Sequence, residues 1–212
     1  MGKIIGFSGS ATKGGVMESA MTKVMEATGH EYELIRLSKK QIKFCSGCVG
    51  CAKTNKCVFR DDMDELLEKF MDADAVVFGG ITRHNGVNAI MKNFMERFSP
   101  LFHRKMLSKG KPVAIVSSGL ATAHEAYRDM AEFVQTFRME EVGSLETGGN
   151  ASCYKCGFGE TCAYSAFLAL NGKDAKLSDD PYYYFDKDSE CVQKAEELGK
   201  AIAKRIEVPI IN

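Results

Sequence analysis

Four of the eight cysteines lie between residues 45 and 57, in the segment KFCSGCVGCAKTNKC. They are Cys45, Cys48, Cys51 and Cys57, with the spacing C-x2-C-x2-C-x5-C. Two successive two-residue gaps can fold the backbone around a compact inorganic core, and a fourth thiolate can close it, as around a [4Fe-4S] cubane. Structural zinc more often takes two C-x2-C pairs separated by a long span. The spacing therefore favours an iron-sulfur cluster, with zinc and a group of free thiols as alternatives.

A turn rich in glycine and hydroxyl groups, SGSATKGG, follows the first apolar run at residues 8–15. Its hydroxyl donors are Ser8, Ser10 and Thr12, and its glycines are Gly9, Gly14 and Gly15. Such a turn can point backbone amides toward an anion at a helix N-terminus. It lacks both the Walker pattern and the dinucleotide fingerprint, so a mononucleotide phosphate such as that of FMN is the better candidate ligand. The alternative is a connection that binds nothing.

The overall composition limits the classes of partner. The 212 residues are 45% hydrophobic and 26% charged, which is typical of a globular protein, and we expect a single domain over residues 1–212. The 28 basic and 28 acidic side chains balance, so neither nucleic acid nor a membrane is an expected partner. The N-terminal apolar run is too short for a signal peptide, and we expect a cytoplasmic protein. Thiols in that compartment are kept reduced, which favours metal ligands or redox groups over disulfides.

Short apolar runs alternate with segments of helical periodicity along the chain. The predicted strands are residues 3–9, 31–37, 74–80, 111–119 and 140–149. The predicted helices are residues 16–28, 61–73, 87–98, 125–138 and 189–205. The second helix is expected to begin with a capping box formed by Asp62 and Glu65. The alternation predicts an α/β fold, a flavodoxin-like doubly wound parallel sheet of five strands in the order 2-1-3-4-5.

A ligand of such a sheet binds beyond the C-terminal ends of the strands, near the switch between the first and third strands. The ends of the third and fourth strands add the candidate residues Gly79, Gly80, Ser117 and Gly119. The iron-sulfur loop is an insertion over residues 43–60, and residues 150–187 form a cysteine- and aromatic-rich region before the C-terminal helix. The aromatic row in DDPYYYFD can cover a cofactor or pack on the body of the protein.

A second cysteine set is a candidate for another metal site. Cys153, Cys156 and Cys162 have the spacing C-x2-C-x5-C, and Cys191 is a conceivable fourth ligand. Reduced thiols without metal are the equal alternative. The second and fifth predicted strands lie at opposite edges of the sheet, so only a dimer could bring the two cysteine sets together. The scattered histidines His30, His103 and His124 are expected at the surface or at helix caps.

Together, the phosphate turn, the compact cysteine motif and the predicted sheet resemble the iron-sulfur flavoprotein group of the NADPH-dependent FMN reductase family. The segments CVFRDDMDELLEKFMDADAVVFGG, MKNFMERF and CYKCGFGETC share this resemblance. It implies FMN beside a [4Fe-4S] cluster and assembly as a homodimer or a dimer of dimers. It also implies cluster ligands at Cys45, Cys48, Cys51 and Cys57. The residues implied around the FMN phosphate are Ser8, Ser10, Thr12, Lys13, Gly14 and Gly15.

Two loops depart from the family pattern. The phosphate loop usually continues Asn/Gly-Gly-Asn-Ser/Thr after its lysine, whereas this chain has Gly14-Gly15-Val16-Met17 and lacks one hydroxyl. The third loop usually reads Gly-x-Pro-x-Tyr-x-Gly, whereas this chain has GGITRHNG, which lacks that proline and tyrosine and contains Arg83 and His84. An arginine there could stack on a flavin ring or stabilise the negative charge of reduced flavin.

The expected function is that of an FMN reductase-like oxidoreductase, in which electrons pass between a [4Fe-4S] cluster and bound FMN to an unidentified acceptor. The expected donor is a low-potential protein such as ferredoxin, or NAD(P)H. One alternative is a flavin-free iron-sulfur electron carrier or sensor, because the GGITRHNG loop is altered. The other alternative is a zinc-stabilised interaction module.

Overall fold

A computed structural model describes residues 1–178 and 183–208 of the chain. Within these ranges the strands are β1 (Lys3–Ser8), β2 (Glu31–Arg36), β3 (Ala75–Arg83), β4 (Gly86–Val87), β5 (Pro112–Ser118) and β6 (Glu140–Thr147). The α-helices are α1 (Val16–Glu26), α2 (Met63–Asp72), α3 (Ala89–Glu96), α4 (His124–Thr136), α5 (Cys153–Cys156), α6 (Ala166–Asn171) and α7 (Ser189–Glu207). Each long predicted element is therefore present, with small differences at its ends.

The main sheet is parallel and has the strand order β2-β1-β3-β5-β6. Counting these five strands in chain order gives 2-1-3-4-5, so the predicted architecture is confirmed. In the pairing register Ser8, the last residue of β1, lies beside Arg36 of β2 and Gly79 of β3. Strands are added in one direction from β1 to β2 and in the other from β1 to β3, which makes this the switch point of the sheet. Because β1 and β3 are parallel, their C-terminal ends lie at the same edge.

Each face of the sheet is covered by helices, which is why the central strands are apolar without alternation. Helices α2, α3 and α4 pack on one face, where Phe7, Phe78, Phe94 and Phe98 form a group of aromatic contacts. Helices α1 and α7 pack on the other face. Successive residues of one strand therefore enter different cores, as do Val76 and Val77.

Strand β3 ends three residues later than predicted, and the chain then turns back on it. Its end pairs antiparallel with β4, Arg83 beside Gly86. The two residues between them, His84 and Asn85, have φ values of 49° and 62°, as a two-residue hairpin turn of the I′ type requires. The predicted start of the following helix at Val87 is wrong, because Val87 belongs to β4 and α3 begins at Ala89.

The predicted capping box at the start of α2 is also wrong. The carboxylate of Asp62 accepts the N–H of Gln41 instead of an amide of its own helix. Asp61 provides the local contact, since its Oδ1 accepts the N–H of Met63. Glu65 pairs with Lys40 at 2.9 Å. The acidic residues before α2 therefore bind the segment that leads into the cysteine loop.

Among the helices of residues 1–178 and 183–208, none is both long and apolar enough to cross a bilayer.

Candidate functional site

The first cysteine set lines a single cavity on the loop that follows β2. The cavity measures about 60 Å³, and the sulfur-bearing residues on its wall are Cys45, Cys48, Cys51 and Cys57. Cys51 is buried and Cys48 is exposed, while Cys45 and Cys57 are half-buried. The structure thus brings the four predicted cluster ligands around one space, with one thiol at the inner end and one toward solvent.

The end of α3 and the segment that follows it form another wall of this cavity. It includes Glu96, Arg97 and His103. The amide of Asn55, within the cysteine loop, donates to the carbonyl of Pro100 at 2.7 Å and to that of His103 at 2.5 Å. This side chain therefore fastens the loop to this wall. His103 was expected at the surface or at a helix cap, and the sequence did not predict that it lines this cavity.

The backbone of the cysteine loop takes two left-handed conformations close together. Gly47 has φ +65°, which glycine adopts without steric cost. Val49 has φ 56°, which is rare for a β-branched residue and costs on the order of 1–3 kcal/mol. Strain of this kind clusters at functional sites, where the surrounding structure holds a residue in place.

The electrostatics of the thiols depend on their burial and their neighbours. Hydrogen bonds from the backbone of Gly50 and the side chain of Ser46 lower the pKa of Cys48. Burial raises the pKa of Cys51, and the charges of the three other thiolates raise it further. As a thiolate, Cys51 is therefore repelled by the other three, and a cationic group bound among the thiols would relieve that repulsion.

A buried ion pair holds the two ends of the cysteine loop. Arg97 donates from Nη1 to Oδ2 of Asp61 at 2.7 Å and from Nη2 to Oδ1 at 3.0 Å. The side chains are only 1% and 5% exposed, respectively. Arg97 also donates to the carbonyl of Lys43 at 2.7 Å, before the first cysteine, and to Sγ of Cys57 at 3.5 Å.

The side chain of Arg97 stays charged in this environment. Burial alone would lower the pKa of Arg97, but Asp61 and the Cys57 sulfur outweigh that effect and raise it. Burial likewise opposes ionisation of Asp61, but hydrogen bonds from Arg97 and from the amides of Lys43 and Met63 hold the pKa of this carboxyl below its usual value.

The arrangement of the thiols bears on which inorganic group fits. In the part of the chain that the structure describes, no three histidine, cysteine, aspartate or glutamate side chains come together as they would around a single metal ion. The first cysteine set surrounds a cavity instead of converging on a point. Zinc draws its ligands into one tetrahedron, whereas a cubane presents a separate iron atom to each thiolate. Four cysteine thiols around one cavity are a donor set that an iron-sulfur cluster accepts.

The predicted phosphate turn is open to solvent at the N-terminus of α1. Thr12, Lys13 and Gly14 are exposed, while Ser8 and Ser10 are buried. The hydroxyl of Ser8 accepts the N–H of Ser10 at 3.3 Å, and the hydroxyl of Ser10 accepts that of Thr12 at 3.3 Å. The buried serines therefore shape the turn through its own backbone.

One backbone amide of this turn already donates a hydrogen bond to a carboxylate of the chain. Gly14, with φ +63°, donates its N–H to Oε2 of Glu18 at 2.7 Å. The carboxylate stands where a phosphate oxygen of a bound nucleotide would compete for the same amide. The turn therefore has the donor chemistry that an anion needs, and Glu18 is a residue that the sequence prediction missed.

A buried asparagine joins the turn after β1 to strand β3. Asn88 donates from Nδ2 to the carbonyl of Gly9 at 2.8 Å, and its Oδ1 accepts the N–H of Ile81 at 3.3 Å. Gly9 also donates to the carbonyl of Gly79 at 2.7 Å. Asn88, which stands directly before α3, therefore holds the turn after β1 against β3 at the switch point. Sequence analysis did not identify it.

The candidate glycines at the end of β3 have a packing role. A Cβ added to Gly79 would lie 2.2 Å from Sδ of Met21, and one added to Gly80 would lie 2.8 Å from Sδ of Met130. Helices α1 and α4 therefore approach the sheet closely at these positions. Contact of Gly79 and Gly80 with a cofactor remains a prediction.

Arg83 and His84 lie at the tip of the hairpin formed by β3 and β4, beyond the last residue of β5 that pairs with β3. Both residues are exposed. The altered GGITRHNG segment thus forms regular strand and a tight turn. Contact of Arg83 or His84 with a flavin ring remains a prediction.

The end of β5 provides the remaining candidates. Ser117 is fully buried, and its hydroxyl has no hydrogen-bond partner among the described residues. Gly119 begins a tight turn, since an added Cβ would lie 1.9 Å from the carbonyl oxygen of Thr122. Its N–H donates to the carbonyl of Thr147 at 3.2 Å. A role of Ser117 and Gly119 in cofactor binding is likewise a prediction.

The second cysteine set follows the C-terminal end of β6. Cys153 and Cys156 are the first and last residues of α5, and Cys162 lies in the exposed turn beyond it. Cys191 lies at the start of α7, where burial and Asp188 raise the pKa of its thiol. Sheet order separates the two sets, since β2 and β6 are opposite edges of the sheet. A second metal site at Cys153, Cys156 and Cys162 stays a prediction.

The aromatic row is partly described, since Tyr182 lies outside the described residues. Tyr183 is packed on the body of the protein, where its hydroxyl lies 2.7 Å from that of Thr147 and donates to Asp188 at 3.0 Å. Burial raises the pKa of Tyr183 far above its ordinary value. Tyr183 therefore links the end of β6 to the residue that precedes α7.

A doubly wound parallel sheet with an anion-binding turn at its switch point defines the flavodoxin-like class. The chain belongs to the NADPH-dependent FMN reductase family, whose model matches residues 2–149. The predicted family is therefore confirmed.

Individual relatives agree with this assignment. An iron-sulfur flavoprotein of Archaeoglobus fulgidus is 35% identical over 146 residues, which cover 66% of this chain and 66% of the relative. An iron-sulfur flavoprotein of Methanocaldococcus jannaschii is 37% identical over 103 residues, covering 47% of this chain and 53% of the relative. The chain thus spans between one half and two thirds of the length of these two relatives.

Solved structures agree on the fold. A flavone reductase superposes with a TM-score of 0.62 at 18% sequence identity, covering 97% of this chain and 63% of that protein. At this identity the likeness shows the fold alone.

Proposed function

We propose that this chain is an oxidoreductase that holds an iron-sulfur cluster in its first cysteine set and FMN at the C-terminal edge of β1 and β3. The observation that carries the proposal is that Cys45, Cys48, Cys51 and Cys57 line one cavity. Membership of the FMN reductase family and the names of the similar iron-sulfur flavoproteins support both cofactors.

The residues of the chain have separate tasks in this proposal. The four thiolates would bind the cluster, and the amides around Gly14 would bind the phosphate of FMN. Asn55 and the pair of Arg97 with Asp61 hold the cavity wall and the loop ends in place. When bound, the cluster supplies one-electron transfer and the flavin can store two electrons. The chain thereby couples one-electron donors to two-electron reductions.

The partners and setting are part of the same proposal. The donor is a low-potential protein such as ferredoxin, or NAD(P)H, and the acceptor is a two-electron substrate. The protein works in the cytoplasm as a homodimer or a dimer of dimers. A cytoplasmic setting is supported by the number of free thiols, which that compartment keeps reduced.

A second candidate function is a flavin-free iron-sulfur carrier or sensor. The observation that favours it is the carboxylate of Glu18 on the amide of Gly14, which a phosphate would have to displace. The family's flavin loop is also replaced here by the hairpin that carries Arg83 and His84.

One preparation separates the candidates. Protein purified without oxygen should be brown, and analysis should find iron, acid-labile sulfide and FMN. Iron and sulfide without FMN, also after incubation with added FMN, would support the flavin-free carrier. Zinc without iron in colourless protein would refute both and support the zinc-stabilised module.

A further inference from the structure

Arg97 has contacts that loop anchoring alone does not require. It is a buried charged side chain whose Nη2 donates to Sγ of Cys57, a proposed cluster ligand, at 3.5 Å. Its side chain also lines the cavity that contains the four sulfurs. A buried cation directed at a thiolate acts in a medium of low dielectric, where its field is screened far less than that of a surface charge.

A second donor of the same side chain is unused. Nε of Arg97 is buried and has no hydrogen-bond partner among the described residues. Buried N–H groups nearly always have a partner, so this unpaired donor belongs to a side chain whose hydrogen bonds within the protein are incomplete.

The negative charge of Asp61 partly offsets the positive charge of Arg97 near the sulfur. Its carboxylate accepts two hydrogen bonds from Arg97 and further bonds from the amides of Lys43 and Met63. The arginine is thus the member of the pair that contacts the sulfur. Removing the arginine leaves a negative charge near the cavity, and neutralising the aspartate leaves the positive charge uncompensated.

We propose that Arg97 is a positioning residue that sets the reduction potential of the cluster, through its hydrogen bond to Cys57 and its buried charge, with Asp61 moderating that charge. The inference rests on the proposed function, because it requires the cluster. Hydrogen bonds to sulfur and local charge are among the factors that determine the potentials of iron-sulfur clusters. A nearby cation stabilises the reduced cluster, which carries one more electron, and so raises its potential.

The test is an anaerobic redox titration of the full chain with dithionite and mediator dyes, followed by visible absorption and electron paramagnetic resonance. One electron passes from dithionite to the cluster, and no bond at Cys57 forms or breaks. The variants are Arg97→Met, Arg97→Lys and Asp61→Asn. The matched control is Arg104→Met, because Arg104 also donates to the loop, at the carbonyl of Lys53, but is exposed and is bonded there to backbone.

The variants should shift the potential in opposite directions. Arg97→Met should make it more negative, Arg97→Lys should do so less, Asp61→Asn should make it more positive, and Arg104→Met should leave it unchanged. A purely structural role would instead change the iron content of the variants and leave the potential of the remaining clusters the same.

Several results would overturn the inference. One is an Arg97→Met protein with full iron content and the potential of the wild type. If Arg97→Met does not hold its cluster, Asp61→Asn and Arg97→Lys test the inference instead. Wild-type potentials in both variants, or shifts of the same sign, would then refute it. Wild-type protein without iron or sulfide would instead refute the proposed function, so the two failures are distinguishable.

Discussion

Asp61 and Arg97 are 36 residues apart in the sequence and form a bidentate ion pair, with N···O distances of 2.7 Å and 3.0 Å. The pair connects the residue after the cysteine loop to the end of α3. Because the same two side chains also bond to Lys43 and Cys57, both ends of the loop depend on this one contact.

Breaking the pair should destabilise the protein. Asp61→Ala leaves a buried guanidinium without its partner and should lower the free energy of unfolding by about 3–5 kcal/mol. Urea unfolding of the metal-free protein under reducing conditions measures this. The matched control is Asp64→Ala, because the pair of Asp64 with Arg60 is exposed at 3.7 Å and should contribute about 0.5 kcal/mol or less. Equal losses in the two variants would contradict the account.

The contribution of Asp61 should depend on pH with a defined sign. The pKa of Asp61 is lowered in the folded protein, because Arg97 and two amides outweigh the effect of burial. Its stabilisation is therefore complete above the unfolded-state pKa of about 3.9 and is lost as the pH falls through the lower folded-state value. The difference in unfolding free energy between wild type and Asp61→Asn should stay constant from neutral pH to about pH 5 and shrink in more acid solution. A difference that grows on acidification would rule this out.

Glu18 should weaken the binding of FMN. Its carboxylate occupies the amide of Gly14 and repels a phosphate in the same turn. Glu18→Gln removes that charge and should tighten FMN binding by about two- to fivefold, as expected for one charge at a helix N-terminus. Quenching of FMN fluorescence measures the affinity. Glu26→Gln, at the other end of α1, is the control and should have no effect on it. Unchanged or weaker binding to Glu18→Gln would refute the assignment.

Asn88 should support both the fold and the flavin site. Asn88→Ala removes the buried bonds to Gly9 and Ile81 and should cost about 1–3 kcal/mol of stability, with weaker FMN binding. Asn88→Asp retains the acceptor for Ile81 but loses the donor to Gly9. It separates the two contacts in thermal unfolding and FMN titration. Wild-type FMN affinity in both variants would show that Asn88 does not position the flavin turn.

The main sheet could be predicted because its strands are continuous apolar runs between helical segments. The central strands are buried by helices on both sides, so residues such as Val76 and Val77 are apolar regardless of the face that they enter. The β3–β4 hairpin was missed because its turn residues, His84 and Asn85, are not one of the common hairpin dipeptides and no apolar run follows them. The capping residue of α2 was assigned wrongly because Asp61 and Asp62 are adjacent. The local sequence does not indicate which of the two carboxylates accepts a hydrogen bond from the first turn of the helix.

The cysteine spacing identified the cavity, but the residues that hold it depend on tertiary contacts. Arg97 does have a signal, since it stands three residues after Phe94 on the apolar face of the helical pattern, where a charge needs a buried partner. Its partner Asp61 could not be predicted, because the pairing depends on how the loop folds against α3. Asn55 and Asn88 bond to backbone of distant segments, which leaves no sequence pattern at all.

The most direct test of the central claim is the iron and acid-labile sulfide content of anaerobically purified wild type, Cys48→Ala and Cys156→Ala. Both cysteines are exposed and belong to C-x2-C pairs, but only Cys48 lines the cavity. The account predicts about four iron and four sulfide per chain in wild type and in Cys156→Ala, and loss of both from a folded Cys48→Ala protein. Wild type without iron, or Cys48→Ala with its full iron content, would contradict it.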